Sequence, residues 1–373
     1  MFEKGMMMSF KIAMIGHKRI PGRESGVEIV VQQLSTRLVA RGCQVDAFNR
    51  KSLDSTQDEF FEGVRLVTVP TINRRSLDAP IYALLATLRA CFHKYDVLHY
   101  HAEGPCLALW LCKLFNKHVV VTIHGLDWQR AKWGSLATFV IKYGERQAVK
   151  HADQIIVLSK NNQEYFKKTY NRETIFIPNG VEKPVYRDIT TNGNRYNLEK
   201  HKYFLYLGRI VPEKGIHYLV DAYKQIKTEM PLVIAGGSSY TDKYYKSLQE
   251  QAKDDKRIIF TGHIEGKLLE ALFSNSYIYV FPSDLEGMPI SLLEAMSYGN
   301  CCLVSDIPEN IEVIEDKGLS FRKSDVSDLK LKLEYALDHP EVIMGFRSVS
   351  SEYICNKYNW EKIVDKTMEL YRR

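Results

Sequence analysis

The stretch EGMPISLLEAM spans residues 286–296. It follows an apolar run at 277–281 and precedes Gly299, a pattern that predicts a strand, a loop and a helix with Pro289 at its first position. Glu286 then lies in the loop, and Glu294 lies in the helix. Two carboxylates beside the free amides of a helix start suit a ligand that carries both hydroxyl groups and phosphate, as a nucleotide sugar does. A chance spacing, with Glu294 bonded locally within its helix, is the alternative.

Length and composition indicate a two-domain globular protein. A chain of 373 residues is too long for one ordinary core, and 45% hydrophobic with 26% charged residues is typical of soluble domains. Its seven cysteines form neither a CxxC pair nor a zinc-spaced cluster with histidine. We therefore expect reduced thiols and a cytoplasmic location.

Positive charge is concentrated in the first half of the chain. Residues 1–180 contain 25 Lys and Arg against 16 Asp and Glu, a net charge of +9, whereas the remainder is net −3. Runs at 82–94 and 107–117 also mix apolar and basic residues. The charge suggests an anionic partner, either a membrane or nucleic acid, and a solvated face is the alternative. Either run could lie on a membrane surface, but a helix buried on one face of the sheet, with Lys and Arg extending to solvent, is the favoured interpretation. Nucleic acid is not favoured, because aromatic residues do not alternate with the charges.

Short β-rich runs alternate with helix-like runs along the chain, which predicts an α/β protein with parallel sheets. The polar, strand-free segment 183–202 is the predicted linker. We therefore expect an N-terminal domain at 1–182 and a C-terminal domain at 183–373. The predicted strands are 10–15, 45–48, 64–69, 97–100, 119–123, 155–158 and 175–177 in the first domain, and 203–207, 231–235, 258–261, 277–281 and 301–305 in the second.

Two strand ends of the first domain carry candidate ligand-binding residues. The loop 16–26 leads into a helix, and Gly22 and Gly26 allow a phosphate to approach its start, although GxGxxG is absent. His124 follows the strand at 119–123, at the end where open parallel sheets bind ligands. A histidine packed in the core is the alternative for His124.

The second domain offers a cationic loop at 208–215. Arg209 and Lys214 lie between Gly208 and Gly215, ahead of a predicted helix, and together they can neutralise a diphosphate without a metal. Two unrelated surface cations are the alternative. The strand-end turn 261–264, with His263 and Ile264, is a candidate contact for a nucleobase.

Several motifs that would indicate other chemistry are absent from the sequence. There is no Asp-x-Asp to hold a divalent cation beside a diphosphate, and no HExxH, Gly-x-Ser-x-Gly or P-loop. We therefore expect no metal and no cofactor, and the sequence does not support a hydrolase or an NTPase.

The pairing of Arg209 and Lys214 with Glu286 and Glu294 resembles the retaining glycosyltransferases of family 4, and the resemblance covers essentially the whole chain. It implies the GT-B fold, in which two Rossmann-like parallel-sheet domains face each other across a cleft and the last helix can pack back on the first domain. Segments 16–22 and 124–128 resemble a bacterial subgroup that builds surface polysaccharide and is described as rhamnosyltransferase-like.

The resemblance also implies roles for individual residues. Its catalytic residues are Arg209 and Lys214 on the donor diphosphate, Glu286 on the transferred sugar and His124 near the reacting carbon. The implied donor-binding residues are Gly26, Gly208, His263, Ile264, Gly287, Met288, Ile290 and Glu294, with Glu294 on the ribose. This chain departs from the family pattern at Ser25, where a second glycine is common, and at Pro289, which removes one backbone donor.

The implied activity is retaining, metal-independent transfer of a hexose or deoxyhexose from a UDP-, GDP- or dTDP-sugar. The implied acceptor is a saccharide, most often linked to polyprenyl diphosphate, in the synthesis of capsule, exopolysaccharide or O-antigen. Weak association with the inner face of the plasma membrane would accompany it. A nucleotide-sugar epimerase of the same fold and a non-catalytic carbohydrate-binding relative are the alternatives.

Overall fold

The protein divides into two compact units. A computed structural model describes residues 9–22, 25–51, 59–72, 77–130, 133–192, 194–238 and 241–372. Met1–Gly180 and Trp360–Arg373 form the first unit, and Val181–Asn359 form the second. The boundary lies at 180/181 rather than at 182/183, and the last helix clusters with the first unit.

The first unit contains an eight-stranded sheet in its described part, with strand order β3-β4-β2-β1-β5-β6-β7-β8. All neighbours are parallel except β3, which is antiparallel to β4. The strands are β1 (Lys11–Ile15), β2 (Gln44–Arg50), β3 (Phe60–Phe61), β4 (Val64–Val69), β5 (Val97–His101), β6 (Val119–Ile123), β7 (Gln154–Val157) and β8 (Ile175–Phe176).

The second unit contains a parallel six-stranded sheet with strand order β11-β10-β9-β12-β13-β14 in the described residues. The strand numbers fall from β11 to β9 and then rise from β12 to β14, so β9 lies between β10 and β12. The strands are β9 (Phe204–Leu207), β10 (Leu232–Ala235), β11 (Ile258–Gly262), β12 (Ile278–Phe281), β13 (Cys302–Ser305) and β14 (Leu319–Phe321).

Helices connect the parallel strands. Those of the first unit before the boundary are α1 (Gly26–Ala40), α2 (Asp78–Cys91), α3 (Leu109–Leu114), α4 (Ser135–His151) and α5 (Lys160–Tyr170). Those of the second unit are α6 (Ile189–Asn192), α7 (Ile216–Lys224), α8 (Asp242–Ala252), α9 (Gly266–Asn275), α10 (Ile290–Ser297), α11 (Pro308–Ile314), α12 (Val326–Asp338) and α13 (Pro340–Lys357). The chain ends with α14 (Trp360–Tyr371), which belongs to the first unit.

The predicted linker packs against the second unit. Ile189 in α6 is buried, and the side-chain amide of Asn275 donates to the carbonyl of Arg187 at 2.6 Å. The backbone N–H of Arg187 donates to the hydroxyl of Ser274 at 3.1 Å. The segment is polar and strand-free, as the sequence indicated, but these contacts make it part of the second unit rather than a free linker.

Burial of the central strands explains why apolar runs predicted them. Every residue of β5 and β6 is buried, as parallel strands covered by helices on both faces require. The polar residues of these strands are Thr122 in β6 and, in β5, His99 and His101, which occupy alternate positions and are both fully buried. Side chains two apart in a strand point to the same face, so both imidazoles lie on one side of the sheet.

Candidate active site

Four loops of the second unit lie side by side at the carboxyl edge of its sheet, because β11, β10, β9 and β12 are consecutive neighbours. Gly208 donates its N–H to the Ala235 carbonyl at 3.0 Å, and Ile210 donates to Gly237 at 2.9 Å. The loops after β9 and β10 are therefore joined. The loop after β11 continues this row, since Gly236 donates to Gly262 at 2.9 Å.

The cationic loop also packs on the loop after β12. Gly215 has a φ of +64°, and a Cβ at this position would lie 2.1 Å from the Pro282 carbonyl oxygen. A side chain would therefore force the two loops apart. The N–H of Asp284 donates to the Glu213 carbonyl at 2.9 Å, which fixes the same contact from the other side.

Lys214 and Glu286 meet at this contact. The Lys214 ammonium forms an ion pair and a hydrogen bond with the Glu286 carboxylate, and both side chains are largely buried, with 13% and 10% of their surface exposed. The ammonium also lies 4.8 Å from the centroid of the Phe281 ring. A lysine held by a carboxylate on one side and an aromatic face on the other is fixed in position before any ligand arrives.

Two buried tyrosines show that Arg209 and Glu294 lie near the same place. Burial raises the pKa of Tyr206 well above its usual value; the nearby Tyr279 and Glu286 act in the same direction, and Arg209 acts against them. Burial likewise raises the pKa of Tyr279, and the charges of Glu286 and Glu294 raise it further. The structure thus brings together the four charged residues that the sequence singled out in the second domain.

The helix start differs by one residue from the prediction. Pro289 has an extended ψ of 103° and is the N-cap, so α10 begins at Ile290 rather than at Pro289. Its carbonyl accepts the N–H groups of Leu292 and Leu293 at 3.1 and 3.2 Å. Gly287 and Met288 are buried in the loop before the helix, and Glu294 lies within the helix, partly exposed.

The turn after β11 presents one polar and one apolar side chain. His263 is exposed, whereas Ile264 is buried. A Cβ built on Gly237 would lie 3.6 Å from the His263 Cβ, so this turn lies against the neighbouring loop after β10. Its position at the sheet edge is the one expected for a contact with a nucleobase.

In the first unit, the start of α1 already holds a carboxylate. Gly26 is exposed at the first helical position, but the buried Glu28 accepts the N–H of Lys18 at 3.0 Å and the hydroxyl of Ser25. A phosphate at Gly26 would share the helix start with this carboxylate. Arg23 and Glu24, in the same predicted loop, lie outside the described residues.

His124 is part of a histidine cluster that the sequence analysis missed. It follows β6, and its Nε2 lies 3.0 Å from the Nδ1 of His101. The His101 ring stacks on His99 at a centroid distance of 4.3 Å, and His17, after β1, is buried nearby and bonded to Asn49 at 3.0 Å. The signal available in the sequence was a pair of histidines, His99 and His101, at alternate positions of a strand-like run that begins with Val97 and Leu98.

Acidic residues were missed as well. Glu103 is fully buried after β5, and its carboxylate accepts the N–H of Asp127 at 3.1 Å. Burial raises the pKa of Glu103 well above its usual value, and the charge of Asp127 adds to this. Arg130 forms an ion pair with Asp127 at 2.7 Å. The backbone N–H of Asp127 bonds to Glu103 and its carboxylate pairs with Arg130, and these two contacts hold the loop that carries His124.

The described residues show neither a metal-binding cluster nor a membrane-spanning helix. Within the described ranges, no group of three or more His, Cys, Asp or Glu side chains is arranged to hold a metal ion. None of the helices in that part of the chain combines the length and hydropathy needed to cross a membrane.

Two family models match the chain, one in each half. Residues 25–183 match Glycosyltransferase Family 4, and residues 188–353 match Glycosyl transferases group 1. The second match contains the whole of the row of loops that carries Arg209, Lys214, Glu286 and Glu294.

Known proteins resemble the chain over nearly its full length. An Escherichia coli UDP-Gal:alpha-D-GlcNAc-diphosphoundecaprenol alpha-1,3-galactosyltransferase is 26% identical over 376 residues, which cover 96% of each chain. Sucrose-phosphate synthase from Thermosynechococcus elongatus has a TM-score of 0.84 at 24% identity and covers 97% of this chain and 98% of its own. The Anabaena protein HepE, solved with UDP and glucose, has a TM-score of 0.81 at 16% identity, with 96% and 98% covered.

Proposed function

Because the chain belongs to the family 4 glycosyltransferases and shares their GT-B fold, we propose that it transfers a hexose or deoxyhexose from a nucleotide-diphosphate sugar to a lipid-linked saccharide. The product would be a bacterial surface polysaccharide, and the configuration at the transferred carbon would be retained. The Escherichia coli relative, an alpha-1,3-galactosyltransferase named for a GlcNAc-diphosphoundecaprenol acceptor, supports this acceptor class.

The observation that carries the proposal is the grouping of Lys214, Glu286, Arg209 and Glu294 at one sheet edge. Cations there suit a diphosphate, and carboxylates suit the vicinal hydroxyls of a sugar and a ribose. Breaking the bond between the sugar carbon and the phosphate oxygen leaves negative charge on the diphosphate. Fixed cations stabilise that charge as it develops, which is the largest catalytic contribution expected here.

The proposed reaction needs no nucleophile from the protein. As the sugar–phosphate bond breaks, its electron pair stays with the leaving nucleoside diphosphate, and the acceptor hydroxyl forms the new bond on the same face of the sugar. The departing phosphate oxygen receives the proton of that hydroxyl. Glu286 would stabilise the positive character that the sugar gains, and His124 would contact the sugar near the reacting carbon.

Exposed apolar side chains of the first unit provide a surface for a lipid-linked acceptor. Leu136, Phe139 and Tyr143 follow one another at helical spacing along α4, and we call these three residues the α4 stripe; they are 76%, 64% and 42% exposed. The helix follows the loop that carries His124, so the α4 stripe begins close in sequence to the candidate site. An apolar face on a basic domain suits both a polyprenyl chain and an anionic leaflet.

The two runs considered from the sequence for membrane contact are only partly exposed. One face of α2 is buried on the sheet, with Tyr82, Ala86 and Ala90 fully covered. Phe92 follows the C-terminal end of α2, and Phe115 follows the C-terminal end of α3. Both side chains are exposed, and their rings contact each other with centroids 5.0 Å apart. The run at 82–94 therefore includes a helix packed on the sheet, and its exposed end leaves apolar surface that a membrane could contact.

The direct test is transfer of sugar from a panel of UDP-, GDP- and dTDP-hexoses to a polyprenyl-diphosphate-linked saccharide. We expect one donor to give a glycosylated lipid with the anomeric configuration of the donor. Nucleotide release without acceptor, together with an altered free sugar, would instead identify an epimerase. Binding of saccharide without turnover of any donor would identify a non-catalytic relative.

A further inference from the structure

A continuous line of side chains connects the last helix of the first unit to His124. The hydroxyl of Tyr371, in α14, lies 2.7 Å from the Nδ1 of His99, and the hydroxyl of Thr122 lies 2.7 Å from the Nε2 of the same ring. Both nitrogens of His99 thus have partners. The ring of His101 stacks on this anchored imidazole, and its Nδ1 reaches the Nε2 of His124 at 3.0 Å.

The backbone around His101 is fixed as tightly as its ring. Gly16 has a φ of +121°, and a Cβ there would lie 2.2 Å from the His101 carbonyl oxygen, so the loop after β1 lies directly on this residue. The next residue, Ala102, adopts a φ of +71°, a conformation that is unfavourable for a residue with a Cβ. His101 therefore has little freedom to move away from His124.

The imidazoles in this line are neutral at physiological pH. Burial lowers the pKa of His99 to about 3, with His124 acting in the same direction. Burial lowers the pKa of His124 to about 4, although Asp127 opposes this shift, and burial places the pKa of His101 well below its usual value. The bond between His101 and His124 therefore contains one hydrogen, supplied by one ring and accepted by the other.

The surroundings of His101 indicate which ring supplies that hydrogen. Its Nε2 is buried and has no hydrogen-bond partner among the described residues. If His124 were the donor, His101 would have to carry its own hydrogen on this Nε2, which would leave a buried N–H unpaired. Buried N–H groups without partners are rarer than buried acceptors without partners, so His101 Nδ1–H is the favoured donor.

We propose that His101 is a positioning residue that holds His124 in the tautomer with its hydrogen on Nδ1. His124 then presents a hydrogen-bond donor to an oxygen of the transferred sugar, and does not act as a base toward it. The tautomer assignment stands on the structure alone. Only the identity of the ligand oxygen depends on the proposed transferase activity.

The tautomer is measured by two-bond proton–nitrogen correlation in protein labelled with ¹⁵N-histidine. The chain has 11 histidines, and the signal lost in His124→Gln assigns His124. We expect the pattern of an Nδ1–H tautomer in the wild type. An Nε2–H pattern for His124 would overturn the inference, whether or not transfer is detected.

Two substitutions separate positioning from packing. In His101→Asn the side-chain amide occupies the place of Nδ1 and can still donate to His124, whereas in His101→Gln the amide lies near the place of Nε2. We expect His101→Asn to keep the His124 tautomer and kcat within about threefold. His101→Gln should lose the tautomer preference and lower kcat about tenfold or more.

Donor binding and folding provide the controls for these variants. The donor KM should change less than threefold in both variants, since the diphosphate is assigned to the second unit, and melting midpoints identify a variant that has lost its fold. Equal kcat losses in the two variants, with the tautomer unchanged in both, would contradict the positioning role. Absence of transfer in the wild type, with the Nδ1–H tautomer present, would contradict only the proposed function.

Discussion

Lys214 and Glu286 form a largely buried ion pair although 72 residues separate them in the chain. The pair joins the loop after β9 to the loop after β12, and its ammonium also lies over the Phe281 ring. A diphosphate that binds here meets a lysine already held in place, so little ordering cost remains at the moment of reaction.

Loss of the Lys214 ammonium should slow catalysis strongly. We expect Lys214→Ala to lower kcat by about 10²–10³-fold, the usual effect of removing one fixed group that stabilises developing negative charge. Lys253→Ala is the matched control, because Lys253 is exposed in the same unit and pairs with Glu250 at the surface. An unchanged kcat in Lys214→Ala would remove this lysine from the reaction.

The two glutamates should differ in the kinetic parameter that they affect. Glu286→Ala should lower kcat, because contact with the transferred sugar strengthens as that sugar becomes positive, whereas Glu294→Ala should mainly raise the donor KM through the ribose. Steady-state kinetics with varied donor distinguishes the two effects. The same rise in KM for both variants, with kcat unchanged, is incompatible with these roles.

Transfer should continue in EDTA. We expect Arg209 and Lys214 to provide the positive charge that a divalent cation supplies in other enzymes of this reaction class. The measurement is initial rate after dialysis against EDTA, followed by addition of Mg²⁺ or Mn²⁺. A loss of rate that either ion restores would show that the cations of the protein do not suffice.

Stability should fall at mildly acidic pH. Burial lowers the pKa of His17 to about 4 and that of His99 to about 3, both below the unfolded value of 6.5. At acidic pH the unfolded chain then binds more protons than the folded chain. The contribution of these histidines to the free energy of unfolding is therefore fully present above pH 6.5 and is lost as the pH falls toward 4. Each such histidine contributes at most about 1.4 kcal/mol per pH unit in this window.

Thermal melts between pH 4 and pH 8 measure this dependence. His339→Gln should leave the slope unchanged, since 46% of the His339 side chain is exposed in the second unit. A melting midpoint that is constant from pH 7 to pH 4.5 would be inconsistent with neutral, buried histidines.

Membrane association should depend on the α4 stripe. Replacing Leu136 and Phe139 together by serine should reduce flotation of the full chain with anionic vesicles at low salt by several-fold, because about 25 cal/mol is lost for each Å² of apolar surface no longer buried. Leu331→Ser is the control, since Leu331 is 59% exposed in the second unit. Equal flotation of both variants would exclude the α4 stripe as the contact.

The regular part of the fold was predictable because buried parallel strands are continuous apolar runs. β4 and β6 were predicted to the residue, whereas β3 and β14 were missed because strands of two and three residues leave no periodic pattern. The segment between β5 and β6 is not one continuous helix. A 3₁₀ turn over Gly104–Ala108 is followed by α3, since Pro105 and the short apolar segment favour the tighter turn.

The candidate site was predictable where glycine and charge coincide at strand ends. This signal identified the loops around Lys214 and Glu286, but it could not show that β9 lies beside β12, which brings them together. The histidine cluster was missed for the same reason. His99, His101 and His124 become neighbours only because β5 pairs with β6, a long-range pairing that no local pattern encodes.

We expect the second unit to bind the donor through Arg209, Lys214, Glu286 and Glu294. A crystal structure with the nucleoside diphosphate that best stabilises the protein would show whether it does. We predict diphosphate oxygens within about 3.2 Å of Arg209 and Lys214, the ribose at Glu294 and the base beside residues 261–264. Diphosphate bound away from both cations, or Arg209 and Glu294 more than about 15 Å apart in the complex and so beyond one ligand pocket, would contradict it.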